Sequence, residues 1–335
     1  MSETRPAGID LHVHYDPRDE RTAIAAINLA KGNDLTAISL LARSEVSPHF
    51  REFISYGEKV GVNVIPGVEH LVMDGKTPVN FICLGFDYMS KPIVDYFRGE
   101  FAISNSAKLA KFQMEFLKRK GFSLDDLNSE QSVLLDQLLD GHITEKAINF
   151  CILISSLPKN KFLIENLKKE SKQDWEFISN RYINMEGYQD NPNKLDAKFL
   201  WKIFFDVGKE GCPIVSKNSK KVIDIIHKGG GVVLYSPEGS FDNNLWNTLI
   251  ADDIDGIMAW HAGHLGSSDD HGDIPKDVIK ECISSNRLVM GGSDYQQKNW
   301  NIGNGNGHLY INARRFEELK KYIKNKNGGN LPWVK

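Results

Sequence analysis

The sequence predicts an α/β protein in which parallel strands are joined by helices, as a doubly wound sheet or a barrel, with a helical insertion. Three observations carry this expectation. Apolar runs alternate with helix-spaced segments from residue 20 to 90, and the same rhythm returns after residue 215. Polar residues close the apolar runs, and the stretch between the two halves, residues 91–214, holds helix-spaced segments with no clear strand among them.

In chain order, "IDLHVH" is an apolar strand that ends in ionisable groups, and "TAIAAINLAK" has helical spacing. "LTAISLL" is a short apolar run, "FREFISYGEKVG" a helix, and "VNVIPGVE" and "VNFICLGF" are strands. The segments "AKLAKFQMEFLKRKGF", "SEQSVLLDQLLDG", "TEKAINFCILISSL" and "NKFLIENLKKES" make up the insertion. After it come "SKKVIDIIHKGG" (helix), "GVVLYSP" and "DGIMAWH" (strands), "PKDVIKECISSN" (helix), "RLVMGGSD" (strand) and "RRFEELKKYIKNK" (helix).

With 335 residues and 41% apolar content the chain is long enough for a sizeable core. Its 41 basic and 44 acidic side chains nearly balance, and no basic run is interleaved with aromatics, which argues against a nucleic-acid partner and for a small molecule. Cys83, Cys151, Cys212 and Cys282 form no C-x-x-C pair, so they read as reduced core thiols. The N-terminus is short and polar, and no apolar run approaches the roughly 18 residues that would span a bilayer. A cytoplasmic protein with no membrane partner is expected.

His12 and His14 stand two apart on a strand, so both imidazoles point to one face and can reach one cation. Glu69 closes "VIPGVE" and Asp294 closes "LVMGGSD", both at strand ends. Taken singly, each acid is as readily a cap or turn residue. Together, two imidazoles and two carboxylates compose a shell for one divalent ion, Zn, Mn or Fe.

At these residues the sequence resembles the polymerase and histidinol phosphatase (PHP) superfamily, in particular its stand-alone phosphoesterases with a helical insertion. "DLHVH" with Asp19 is similar to the family's opening motif, "VIPGVE" to its P-G-x-E, "GGGVVLYSP" to the strand that ends in A-H-P, and "GGSDYQ" to its closing G-S-D-F-H. The resemblance implies a distorted (β/α)7 barrel formed by residues 1–90 and 215–335, with residues 91–214 inserted as a helical subdomain that contributes to the substrate pocket. It also implies a metal centre at the C-terminal strand ends, with His12, His14, Glu69 and Asp294 as ligands.

The family assembles three ions, and the other two positions are degenerate here. Ile82 and Ser236 stand where the second needs histidines; Ala42 and Gln296 stand where the third does, although its acid, Asp19, is present. Arg43 follows the lost Ala42 ligand, where its guanidinium would neutralise Asp19 or hold an anionic substrate group; the alternative is a solvated loop arginine. Lys209 matches the family's substrate-phosphate lysine, and Tyr235, Ser236 and Gln296 are assigned with it to substrate binding. His261 and His264 in "WHAGH", with Asp19, are the candidates for catalysis. Asp10 is expected to support an imidazole.

The function these readings imply is a mononuclear metal-dependent hydrolase of a small anionic substrate, phosphorylated or carboxylated. The alternatives are a non-hydrolytic metalloenzyme (a lyase or an Fe-dependent redox enzyme) and an inactive PHP-like ligand-binding protein.

Overall fold

β1 (Gly8–His14) is buried along its whole length, as a strand covered on both faces must be. The computed structural model describes residues 8–17, 19–74, 77–100, 103–125, 127–139, 146–183, 192–205, 209, 218–237, 241–261, 274–295, 302–303 and 312–334. Asp19 caps α1 (Glu20–Gly32), whose Ala23, Ala26, Ile27 and Ala30 form the buried stripe at helical spacing. β2 (Leu35–Arg43) leads to α2 (Phe50–Val60), and that helix ends at Gly61 in the left-handed conformation (φ 82°) that favours glycine. β3 (Asn63–Asp74) and β4 (Thr77–Leu84) follow.

The chain continues through α3 (Lys91–Ile93) into a π-helical segment, Val94–Glu100. Among the described residues six α-helices come next: α4 (Ile103–Arg119), α5 (Ser129–Leu139), α6 (Lys146–Ser156), α7 (Lys161–Glu170), α8 (Lys172–Tyr182) and α9 (Pro192–Phe204), with a 3-10 turn, Pro158–Asn160, before α7. The last part holds α10 (Ser219–Lys228), β5 (Val232–Ser236), α11 (Asn243–Ala251), β6 (Gly256–His261), α12 (Lys276–Ser284), β7 (Leu288–Gly292) and α13 (Ala313–Lys326). Two compact units result, Met1–Glu100 with Ile214–Lys335, and Phe101–Pro213. The second has its own core around Phe116, Phe150, Ile154, Phe199 and Leu200.

In the first unit seven strands pair in sequence order, β1 to β7, as a nearly closed barrel. A parallel bridge between Val13 and Tyr295 brings the last strand's continuation back to the first. β4 departs from the expected all-parallel order by running antiparallel to both β3 and β5. Its physical reason is the connection: residues 75 and 76 alone separate the two strands, and so short a link permits a hairpin but no crossover. α11 was not expected from the sequence, although Asp242 caps it by accepting from Asn244 N and Leu245 N, and Leu245, Trp246 and Leu249 form its buried face. No helix among the described residues is long and apolar enough to cross a membrane.

Candidate metal centre

β1, β2, β3 and β7 run in one direction; His14 and Arg43 end β1 and β2, Asp294 follows β7, and Glu69, expected at a strand end, lies inside β3 opposite Arg43, because β3 continues to Asp74 as the hairpin partner of β4. Alternation along β1 puts His12 beside His14, with their Nε2 atoms 3.1 Å apart. His14 Nε2 lies 3.2 Å from Glu69 Oε2 and 3.3 Å from Asp294 Oδ1, and His12 Nε2 lies 3.5 Å from Asp294 Oδ1. Donors at the corners of a tetrahedron with metal bonds of about 2.0–2.1 Å would be about 3.3–3.4 Å apart. The separations of His14 from His12 (3.1 Å) and from Glu69 (3.2 Å) lie near that value, so these three donors suit one divalent cation. His12, His14 and Glu69 together could hold it, with Asp294 beside them.

Electrostatics agree with that fit. Burial pushes the His12 imidazole down, towards the neutral form that ligation requires. Burial would raise the Glu69 carboxyl, but His14, Arg43, His12 and the Asn80 amide outweigh it and hold Glu69 at about 2. Glu69 Oε2 is buried and accepts no hydrogen bond; it faces His14 Nε2 at 3.2 Å and Arg43 Nε at 3.4 Å. Asp294 sits at φ 53°, in the left-handed region that a non-glycine residue occupies at a cost of about 1–3 kcal/mol.

Asp10 does not hold an imidazole. Wholly buried, it accepts from the backbone N–H groups of His12 (3.2 Å), Ser293 (2.8 Å) and Gly303 (2.8 Å), and so ties β1 to the loop that carries Asp294. Burial raises its carboxyl. Behind the site, His70 points to the opposite face of β3 from Glu69: its Nδ1 lies 3.0 Å from Ser44 Oγ and its Nε2 3.1 Å from the Tyr96 hydroxyl. Burial pushes that imidazole down to about 3, so it is a neutral strut for the Arg43–Ser44 corner.

The remaining expected residues divide. Arg43 is directly opposite Glu69 in the β2–β3 register, with Nε 3.4 Å from Glu69 Oε2 and its side chain 59% exposed. Asp19 is turned elsewhere, since it caps α1 and takes Arg21 Nε and Nη2 at 2.7 and 2.8 Å. Of the partners expected for Arg43, Asp19 is taken by Arg21, and Arg43 stands against Glu69 instead. Ser236 is buried and pairs with Asn80 across β4–β5. Tyr235, one residue earlier, must face the other side of the sheet, where it packs on Phe241 and Trp246. Lys209 is exposed and belongs to the helical unit. His261 ends β6, but its side chain, His264 and Gln296 lie outside the described residues.

Asn80 is the site residue that sequence reasoning missed. Its amide Nδ2 donates to Glu69 Oε1 at 2.7 Å. Only the β3–β4 pairing reveals this, because an amide inside "VNFICLGF" carries no motif.

The fold is similar to that of two solved structures. One is a "putative metal-dependent phosphoesterase" from Bifidobacterium adolescentis, 18% identical, with a TM-score of 0.56 over 94% of this chain and 96% of that one. The other is an amidohydrolase from Chromobacterium violaceum with bound sulfate and no metal, 15% identical, with a TM-score of 0.57 over 89% of this chain and 90% of that one. At these identities the likeness is one of fold. No family model matches the chain, and no curated protein matches it.

Proposed function

We propose that this protein is a mononuclear metal-dependent hydrolase of PHP type that acts on a small anionic substrate. The observation that carries the proposal is the cluster of His12, His14 and Glu69, with Asp294 3.3 Å from His14 and 3.5 Å from His12. A single ion is favoured because Ile82, directly opposite Glu69 in the β3–β4 register, offers no ligand atom. Ser236, paired with Asn80, offers a hydroxyl in place of an imidazole or carboxylate.

Bound there, a divalent cation would supply Lewis-acid polarisation and an acidified water. His12 and His14 would offer nitrogen donors to it, while Glu69 and Asp294 would supply negative charge that balances the cation. Arg43 is assigned to an anionic substrate group, a role that its exposure beside Glu69 and its planar fork of donors support. Proton transfer is assigned to His261 or His264, since an imidazole titrates near neutral pH. The named phosphoesterase and amidohydrolase, similar in fold, support the hydrolase class.

The test is to count ions per purified chain and then to screen the metal-loaded protein against phosphoesters and carboxylated amides. One ion per chain with turnover in either class is the expected result. A chain that binds no divalent cation at millimolar concentration, or binds one without turning over any member of either class, overturns the proposal.

A further inference from the structure

We infer that Asn80 is a positioning residue that restricts Glu69 to ligation through one oxygen and so keeps coordination positions open on a bound ion. The inference rests on the metal-site reading above. A carboxylate ligand can bind a cation through one oxygen or chelate it through both. In a site with four protein donors, the choice decides whether a position remains for water or substrate.

The geometry favours the first mode. Glu69 Oε2 faces His14 Nε2 at 3.2 Å, whereas Oε1 receives the Asn80 amide at 2.7 Å. Asn80 is held there by β4, paired with Leu71 on one side and Ser236 on the other, and only 8% of it is exposed. Chelation would draw Oε1 towards the ion and weaken the 2.7 Å hydrogen bond that it accepts from Asn80. An amide is suited to this task because it is neutral: it orients the carboxylate without cancelling the charge that attracts the cation, as a lysine at this position would. Ile82, which lies directly across from Glu69, cannot do the same.

Mn²⁺ is the probe, because it prefers six ligands and its bound waters accelerate the relaxation of solvent protons. With four protein donors about two waters remain; if Glu69 gains a second bond in Asn80→Ala, about one remains, so relaxation enhancement per bound Mn²⁺ should fall to about half. Binding is measured in parallel by equilibrium dialysis, where affinity is expected to fall by about 10–100-fold. Asn80→Leu, which keeps the volume and removes the donor, provides the same reading if the alanine variant does not fold. An enhancement per bound ion equal to that of wild type in a folded variant overturns the inference, whether or not affinity falls. Failure of the wild-type chain to bind Mn²⁺, Zn²⁺ or Fe²⁺ overturns the metal-site reading itself, and the inference with it.

Discussion

Gly292 and His12 press so closely together that the glycine cannot acquire a side chain: a Cβ at position 292 would meet both the Cβ and the backbone nitrogen of His12 at 2.4 Å. The contact joins β7 to β1 at the seam where the barrel closes, two residues before Asp294. Packing at the seam thus fixes how near His12 comes to Asp294.

Gly292→Ala should therefore push β1 away from β7. The expected stability loss is about 1–3 kcal/mol, as for other small-to-large changes in packed interiors. Divalent-metal affinity should fall along with it, because His12 moves while its chemistry is intact. Denaturant unfolding and a metal titration on the same preparation check both. Wild-type affinity in the variant would show that the seam does not position the ligand.

His14→Ala removes the donor that stands within 3.1–3.3 Å of the other three. Its effect should appear most clearly as lost linkage. At free metal about 100-fold above Kd, the wild-type chain should gain about 2.7 kcal/mol over the metal-free form, and the variant almost none. Thermal unfolding with and without Zn²⁺ or Mn²⁺ measures the difference, and an equal metal-induced shift in both proteins would remove His14 from the site.

How much of this was legible in the sequence depended on whether a residue's role is set along its own strand or across to another. His12 and His14 could be paired from alternation alone, and Glu69 and Asp294 from their places at the ends of apolar runs. Asn80 could not be found, because its role depends on β4 running antiparallel and bringing the amide to Glu69. Asp19 was assigned by motif, yet the helix that begins at Glu20 offered a nearer use for its carboxylate, and capping took it. Tyr235 and Ser236 are neighbours on one strand and face opposite sides of the sheet, so they cannot line one pocket together. The Ser44–His70–Tyr96 chain required tertiary packing to be seen.

Away from the site, Asp255 should make stability depend on acid. It is buried beneath β5 and accepts from Val233 N (2.8 Å), His227 Nε2 (2.8 Å), Tyr322 (3.1 Å) and Lys326. Burial alone would raise its carboxyl, but His227 and Lys326 hold it below its ordinary value of 3.8. A depressed folded-state value means that the unfolded chain takes up the proton first as pH falls. The stabilisation is thus fully present above about pH 4 and is lost as pH drops through the folded-state value. Asp255→Asn should cost about 3–5 kcal/mol at pH 7, because it leaves Lys326 facing a neutral group. The gap between variant and wild type should narrow below about pH 4. Urea unfolding from pH 7 to pH 3 measures it, and a gap that stays constant with pH would rule out Asp255 as the titrating group.

Arg43 offers a test in which two affinities move in opposite directions. Its guanidinium lies 3.4 Å from Glu69 Oε2, so it repels any cation that Glu69 binds while attracting an anion at the mouth of the site. Glu69 is held at about 2 by several groups, with His14 and His12 among them, so it should stay ionised at neutral pH when Arg43 is removed. Arg43→Ala should accordingly leave divalent-metal binding unchanged or slightly tighter. Binding of sulfate or phosphate should weaken by about 1.5–3 kcal/mol, the worth of one hydrogen bond to a charged group. Arg43→Lys should recover part of the anion affinity, since an ammonium keeps the charge and loses the two-pronged geometry. Calorimetric titration of metal and then of anion into each variant separates the two effects. If metal and anion affinities fall together, Arg43 supports the structure of the site and does not meet the substrate.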